Sequence, residues 1–213
     1  MAAHLKRILV TAGPTREYLD PVRFITNLSS GEMGYAIARE AVRQKYQVSL
    51  VSGPVNLTSP KGVRFFPVVT ASQMKKVCME LFSQHDGLIM TAAVCDFTPE
   101  KTERHKVPSG SGLMLRLKRT PDILAALAKK KGKKVVIGFC LETQELMDRA
   151  RQKLIQKRLD GIVANFYCPG RDIPFGKRRI DVAFIGRDLK IQRYFKKTKP
   201  ELAKKILAWM QQL

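Results

Sequence analysis

Short, continuous apolar runs recur along this chain with helical periodicities between them, and that alternation limits the available folds more than any other feature. The first run, Lys6-Arg-Ile-Leu-Val-Thr11, ends in Ala12-Gly13-Pro14, a strand followed by a turn. Residues 31–45 set Met33, Ala36, Ile37, Glu40 and Ala41 at helical spacing. Gln47–Val51 is a second strand, closed by Ser52-Gly53-Pro54, and Val63–Val69 is a third. A helix over 71–84 turns Met74, Val77, Leu81 and Phe82 inward, and Gly87–Ala93 is apolar throughout, as a central strand is. The spacing then predicts a short strand over 113–118, a helix opened by Thr120-Pro121-Asp122 and a strand over 134–139. A helix over 142–158, started by Glu142, and a strand over 160–165 follow. Two strand-like runs, Arg179–Ile185 and Lys190–Tyr194, and a helix from Pro200 finish the chain.

Strands apolar on both faces, separated by helices, read as an α/β fold: a Rossmann-like, mainly parallel sheet with helices on both faces. The 213 residues show no internal repeat or low-complexity linker, so one domain is expected over 1–213. The 166–195 segment breaks the alternation and is read as a C-terminal β arm. Ligands in such folds bind outside the carboxyl ends of the strands. The irregular loops 12–30, 52–62, 94–112 and 139–142 all follow strands, so all fall at that edge. Residues 94–112 lack periodicity and are rich in charge, proline and glycine, the pattern of a lid-like loop.

Composition narrows the function classes. The chain is 45% hydrophobic, ordinary for a globular protein. No stretch approaches the roughly 18 apolar residues of a membrane helix. The N-terminus runs straight into the first strand pattern, so no signal peptide is read and a cytoplasmic location is expected. Cys78, Cys95, Cys140 and Cys168 are widely spaced and share no ligand spacing with His4, His85 or His105. That argues against a zinc site and for reduced, mostly buried thiols. The net charge of +21 raises a basic nucleic-acid-binding module as one alternative. The runs 129–134 and 177–179 are not interleaved with aromatics, however, so no specific nucleic-acid partner and no membrane partner is expected. A basic cleft would also suit a substrate with several phosphates.

Several residues could carry chemistry. Gly13 alone follows the first strand, and Gly31 and Gly34 come late, so the GxGxxG pattern is missing, as is GK[ST]. The absence of a Tyr-x-x-x-Lys pair where it would be expected also weighs against the other alternative, an NAD(P)-dependent short-chain oxidoreductase. Asn27-Leu28-Ser29-Ser30-Gly31 runs into a helix, where it is either a cap or an anion site. Asp96, just past the central strand, could bind magnesium, hydrogen-bond a base or simply make a turn. Lys106 in the lid-like loop could clamp phosphate or be solvated. Lys153 and Lys157, four apart on one helix, repel mildly, and a shared anion would rationalise them. Asn165 ends a strand at the ligand edge.

Taken together, ILVTAGPTREYLDPVRFITNLSSGEMGYAIAREA, VSLVSGP, GVRFFPVVTA, IMTAAVCDFTPE, LKRTPDILAALA, VIGFCLET and ARQKLIQKRLDGIVAN, in this order from residue 8 to 165, resemble the synthetase half of the bacterial phosphopantothenoylcysteine synthetase family. The resemblance implies a carbon–nitrogen ligase of coenzyme A biosynthesis. The 4′-phosphopantothenate carboxylate attacks CTP, pyrophosphate leaves, and cysteine then displaces CMP from the acyl-cytidylate, with Mg2+ as cofactor. It assigns CTP contacts to Asp96, Lys106, Pro121, Asp122, Ile123, Leu124, Phe139, Lys153 and Lys157. Gly13, Ser30 and Gly31 would lie near the phosphates. Asn27 matches the asparagine that handles the acyl-cytidylate, Arg23 is a further anion partner, and Asn27 and Lys106 are the expected catalytic residues. The metal ligands stay unassigned. Glu32 stands where the family usually has lysine, and Thr91, Cys95 and Leu141 replace small residues. A homodimer is implied, with the 166–195 arm as its natural interface. The flavin-dependent decarboxylase half that is commonly fused to this family has no match here. No FMN is therefore expected in this chain, and a separate decarboxylase becomes a candidate partner.

Overall fold

The computed structural model describes residues 5–110, 112–167, 175–176 and 178–213. Cys168 and most of the 166–179 stretch lie outside the described residues. Among the described residues there are twelve strands and five helices. The first strand, β1 (Arg7–Ala12), leads through a short antiparallel ribbon, β2 (Arg16–Tyr18) with β3 (Phe24–Thr26), to helix α1 (Glu32–Arg43). Then come β4 (Gln47–Ser52), β5 (Val63–Pro67), α2 (Ala71–Phe82) and β6 (Gly87–Met90). A second ribbon, β7 (Phe97–Pro99) with β8 (Leu117–Arg119), precedes α3 (Ile123–Ala128), β9 (Val135–Glu142), α4 (Leu146–Gln156) and β10 (Gly161–Phe166). The chain ends with β11 (Ile180–Gly186), β12 (Ile191–Lys197) and α5 (Lys199–Met210).

Eight strands form one sheet in the order β12-β11-β10-β9-β6-β1-β4-β5. All neighbours from β5 to β10 are parallel, and β11 and β12 add antiparallel. The two strand-like runs of the 166–195 segment therefore extend the central sheet and do not stand apart as an arm. Alternation along each strand sends side chains to two cores. Ile8 and Val10 of β1 pack with Ile37 of α1 and with Leu202, Ile206 and Trp209 of α5. Leu9 packs on the other face with Met74 and Cys78 of α2 and Leu127 of α3.

Four boundaries differ from the sequence expectation for physical reasons. Glu142 ends β9, where it pairs with Phe166 of β10, and does not start α4. That helix begins only after Glu145, whose φ of 50° breaks the strand-to-helix path. The strand expected over 113–118 begins at Leu117, where its partner Pro99 is found. The long loop 12–30 holds the first ribbon, and 94–112 holds β7, the first strand of the second ribbon. Each ribbon would be marginal alone, but they meet each other, with Cys95 buried beneath them. The Cys95 Sγ contacts the carbonyls of Thr15 and Ile25 at 3.4 and 3.7 Å. Among the described residues no helix is long and apolar enough to cross a membrane.

Candidate active site

The chain order reverses between β1 and β6: β4 and β5 are added on one side of β1, and β6 on the other. A cleft of about 870 Å3 opens there, outside the carboxyl ends of β1, β6, β9 and β10. Three of the four strand-end loops noted in the sequence, 12–30, 94–112 and 139–142, reach it, together with residues 119–124, whereas the 52–62 loop does not line it.

The first of these is built from glycines. Gly13 has φ 70° and Gly31 φ 75°, conformations that L side chains avoid. A Cβ on Gly31 would lie 3.4 Å from the Gly13 nitrogen, so the two turns touch although residues 14–30 separate them. A Cβ on Gly34 would come within 2.5 Å of Ala12 Cβ and 2.6 Å of Thr91 Oγ1, which presses α1 onto the sheet ends. The three glycines thus pack together at the end of β1, with the β2–β3 ribbon inserted between the first and the second. Gly31 caps α1 without a side-chain hydrogen bond, leaving the first-turn amides of a twelve-residue helix toward the cleft. Ser30 Oγ accepts from Gly176 N at 3.1 Å, so its own proton is left to donate elsewhere.

Asn27 is fixed from behind. Its Nδ2 donates to the carbonyls of Ala93 (3.2 Å) and Val94 (3.1 Å). Because both partners are acceptors, the amide can be oriented only one way, and Oδ1 faces away from them as an acceptor. Asp96 follows at the same rim, with its carbonyl bonded to Thr120 N at 3.0 Å, which brings it opposite the Pro121–Leu124 turn. Asp122 caps α3 by accepting from Ala125 N at 3.0 Å and pairs with Lys157 Nζ at 2.8 Å. Burial would raise its pKa, but the Lys157 ammonium and the Ala125 amide outweigh that and hold the carboxyl low. Ile123 and Leu124 line the cleft with their side chains in the core.

Lys153 Nζ donates to the Phe139 carbonyl at 2.8 Å. Burial, with Lys157 as a like-charged neighbour, lowers its pKa, against the pull of Cys140, Glu142 and Asp96. Lys153 and Lys157 thus reach one cavity, each on its own anchor. Cys140 forms part of the same wall, and burial pushes its thiol up to about 11. Cys78, Cys95 and Cys140 are all buried free thiols. Thr91 spends its hydroxyl on the Thr11 carbonyl at 2.7 Å, Leu141 lines the rim, and Asn165 closes the β10 end. Among the described residues no group of three or more His, Cys, Asp or Glu could hold a metal.

Three residues named from sequence do not line the cleft. Gly13 lies behind Gly31, its carbonyl taken by Ala93 N at 2.9 Å. Arg23 pairs with the buried Asp20 (3.6 Å) and donates to the Val107 carbonyl (3.0 Å). Asp20 in turn accepts from Val107 N at 3.1 Å, and Glu103 N donates to the Leu19 carbonyl at 2.8 Å. The 101–107 segment is therefore docked on the first ribbon, and Lys106 is held exposed outside its own cleft. Sequence reasoning also passed over several cleft residues, among them Arg119, Phe175, Ile180, Val182 and Lys199. No motif flagged Phe175, in the segment where the strand–helix alternation breaks, or Lys199, which opens the helix after it.

Comparison with known proteins gives the family of the chain. Residues 3–213 match the family model described as DNA/pantothenate metabolism flavoprotein C-terminal domain. The chain is 49% identical over 162 residues to the coenzyme A biosynthesis bifunctional protein CoaBC of Bacillus subtilis (strain 168), covering 75% of this chain and 40% of that protein. It is 41% identical over 206 residues to a cysteine/cysteine sulfinic acid decarboxylase of an unknown prokaryotic organism, covering 95% of this chain and 57% of that one. The chain thus spans about half the length of these curated relatives. The crystal structure of the C-terminal domain of a CoaBC protein superposes with a TM-score of 0.83 at 38% identity, covering 97% of this chain and 94% of that one. The chain belongs to the DNA/pantothenate metabolism flavoprotein C-terminal domain family.

Proposed function

We propose that this chain is a cytoplasmic phosphopantothenate–cysteine ligase of coenzyme A biosynthesis, using CTP and acting as one synthetase domain. The observation that carries the reading is Asn27, with its amide nitrogen locked onto two carbonyls and its oxygen turned away from them. It sits beside a helix N-terminus that suits phosphate and opposite a wall bearing Lys153 and Lys157. The names of the CoaBC relatives support the same chemistry.

A carboxylate is a poor acyl donor because its leaving group would be oxide. Attack on the α-phosphorus of CTP forms a carboxyl–phosphorus bond and expels pyrophosphate. The acyl carbon then carries CMP, a stabilised leaving group, and the cysteine amine displaces it to form the amide. In this reading the amides behind Gly31 and the Ser30 hydroxyl hold phosphate oxygens. Phe139 and the Pro121–Leu124 turn border the nucleotide, with Lys153 and Lys157 beside its charge. Asn27 Oδ1 accepts from the incoming amine and aims it at the acyl carbon. The donor set fits Mg2+ held largely by the nucleotide, as that ion usually is, with Asp96 as the protein carboxylate. Asp122 is committed to Lys157 and Ala125. When bound, the ion offsets charge on the departing pyrophosphate.

The resemblance implies a homodimer, and the geometry suggests where its copies exchange residues. Arg23 and Lys106 sit together on the ribbon face, outside their own cleft. Val22, Phe24 and Phe97 are exposed around them, and Met114 is 92% exposed. In our reading Lys106 serves the cleft of the second copy. The β12 edge remains a second place where copies could pair.

The reading is tested with purified protein, magnesium, 4′-phosphopantothenate and cysteine, with CTP and ATP side by side. Pyrophosphate release with CTP, matched by amide product, is the expected result. No release with either nucleotide would sink it.

A further inference from the structure

Lys199, the first residue of α5, lines the cleft although it is only 6% exposed. Burying an ammonium is costly unless its charge is answered. Its Nζ donates to the Gly176 carbonyl, and the Gly176 amide donates to Ser30 Oγ at 3.1 Å. Residue 176 therefore ties the start of α5 to the Ser29-Ser30-Gly31 turn in front of α1. Glu32, in the first turn of α1 and in the same wall, acts on Lys199 through its charge. Burial lowers the pKa of Lys199, and Glu32 opposes that shift. A carboxylate beside a phosphate site repels the ligand unless a cation shares its field, and the buried ammonium is such a cation.

We propose that Lys199 is an anion-binding residue of the cleft: its ammonium takes a phosphate oxygen of the nucleotide at the Ser30–Gly31 turn, and Glu32 is its counter-ion while the cleft is empty. The proposal rests on the ligase reading in identifying the anion as nucleotide phosphate. It places a functional group on the C-terminal helix, which no motif marked, and gives Glu32 a role compatible with its position.

Calorimetric titration with CTP, and with cytidine by competition, tests it on the wild type, Lys199→Met, Lys199→Arg and Glu32→Gln. A charged hydrogen bond lost to Met weakens CTP on the order of tenfold or more, while cytidine stays within about twofold because it has no phosphate. Lys199→Arg regains part of the loss. Glu32→Gln tightens CTP at low salt, and the gain is larger in the Lys199→Met background, where no ammonium offsets the carboxylate. Equal weakening of CTP and cytidine would mark Lys199 as merely structural and overturn the proposal. So would a lowered melting temperature with an unchanged CTP-to-cytidine ratio. If Lys199→Met does not fold, CTP affinity unchanged in both Lys199→Arg and Glu32→Gln overturns it. Wild-type protein that binds neither CTP nor ATP refutes the ligase reading itself. Wild type that binds CTP no better than Lys199→Met refutes only the role of Lys199.

Discussion

Asn27 shows how a single side chain can be made directional by its neighbours. Two carbonyls, Ala93 and Val94, take both amide hydrogens and leave only an acceptor for the substrate side. Asn27→Asp puts a carboxylate oxygen against those carbonyls, so the side chain must turn. We expect the variant to release a first equivalent of pyrophosphate and accumulate the acyl-nucleotide. Steady-state turnover should fall about 10- to 100-fold, the cost of losing one or two such contacts. Quench-flow measurement of both species checks this, and unchanged turnover would refute the role. The residue was legible in the sequence through its family motif, but its orientation was not. Gly31 and Gly34 were legible as glycines arriving too late. Their meaning appears only when Gly13 is found against Gly31 across residues 14–30. Lys199 was illegible because Glu32, and Ser30 reached through Gly176, are far away in the chain.

At the scale of elements, the ribbons and the 101–107 segment depend on Asp20. Burial would raise its pKa. Hydrogen bonds from the amides of Val22, Val107 and Arg23, with the Arg23 guanidinium, more than offset this and hold it below the usual carboxylate value. A depressed carboxylate contributes stability above its unfolded pKa and loses it as pH falls through the lower folded value. The segment should therefore stay docked at neutral and mildly acidic pH and loosen only below the ordinary carboxylate range. Asp20→Ala should loosen it at neutral pH. We expect tryptic cleavage after Arg104 and Lys106 to speed up on the order of tenfold, the effect of a lost charged hydrogen bond. Mass spectrometry of timed digests reads this out, and a wild-type cleavage rate would contradict the docking role. Sequence periodicity located the main strands and helices because they bury apolar faces. It missed the three-residue strands β2, β3 and β7 and started β8 too early, because their pairing depends on contacts between ribbons.

At the scale of the molecule, a docked ribbon that holds Lys106 outside its own cleft makes sense if two copies share their sites. Mixing an Asn27→Asp chain with a Lys106→Ala chain should then restore activity. In a mixed dimer one cleft receives an intact Asn27 and the partner's intact Lys106. Random mixing makes half the dimers mixed, so recovery approaching a quarter of wild-type activity per site is expected. Recovery no greater than the sum of the two single variants would show that each cleft works with its own lysine. The parallel core of the sheet and the position of the cleft at its carboxyl edge followed from the alternation of apolar runs with helices. The outward extension by β11 and β12 did not, because an antiparallel edge and a detached arm have the same local pattern.

The cleft wall also bears on chemoselectivity. In the proposed reaction the acyl-cytidylate is open to attack by any thiolate, and the cysteine substrate brings a thiol of its own. The protein adds another at Cys140, within the same cavity. With its thiol pushed up to about 11, only roughly one Cys140 in ten thousand is ionised at pH 7. Under the ligase reading, the cleft therefore carries beside the proposed electrophile a sulfur atom that burial keeps protonated, which disfavours acylation of the protein itself.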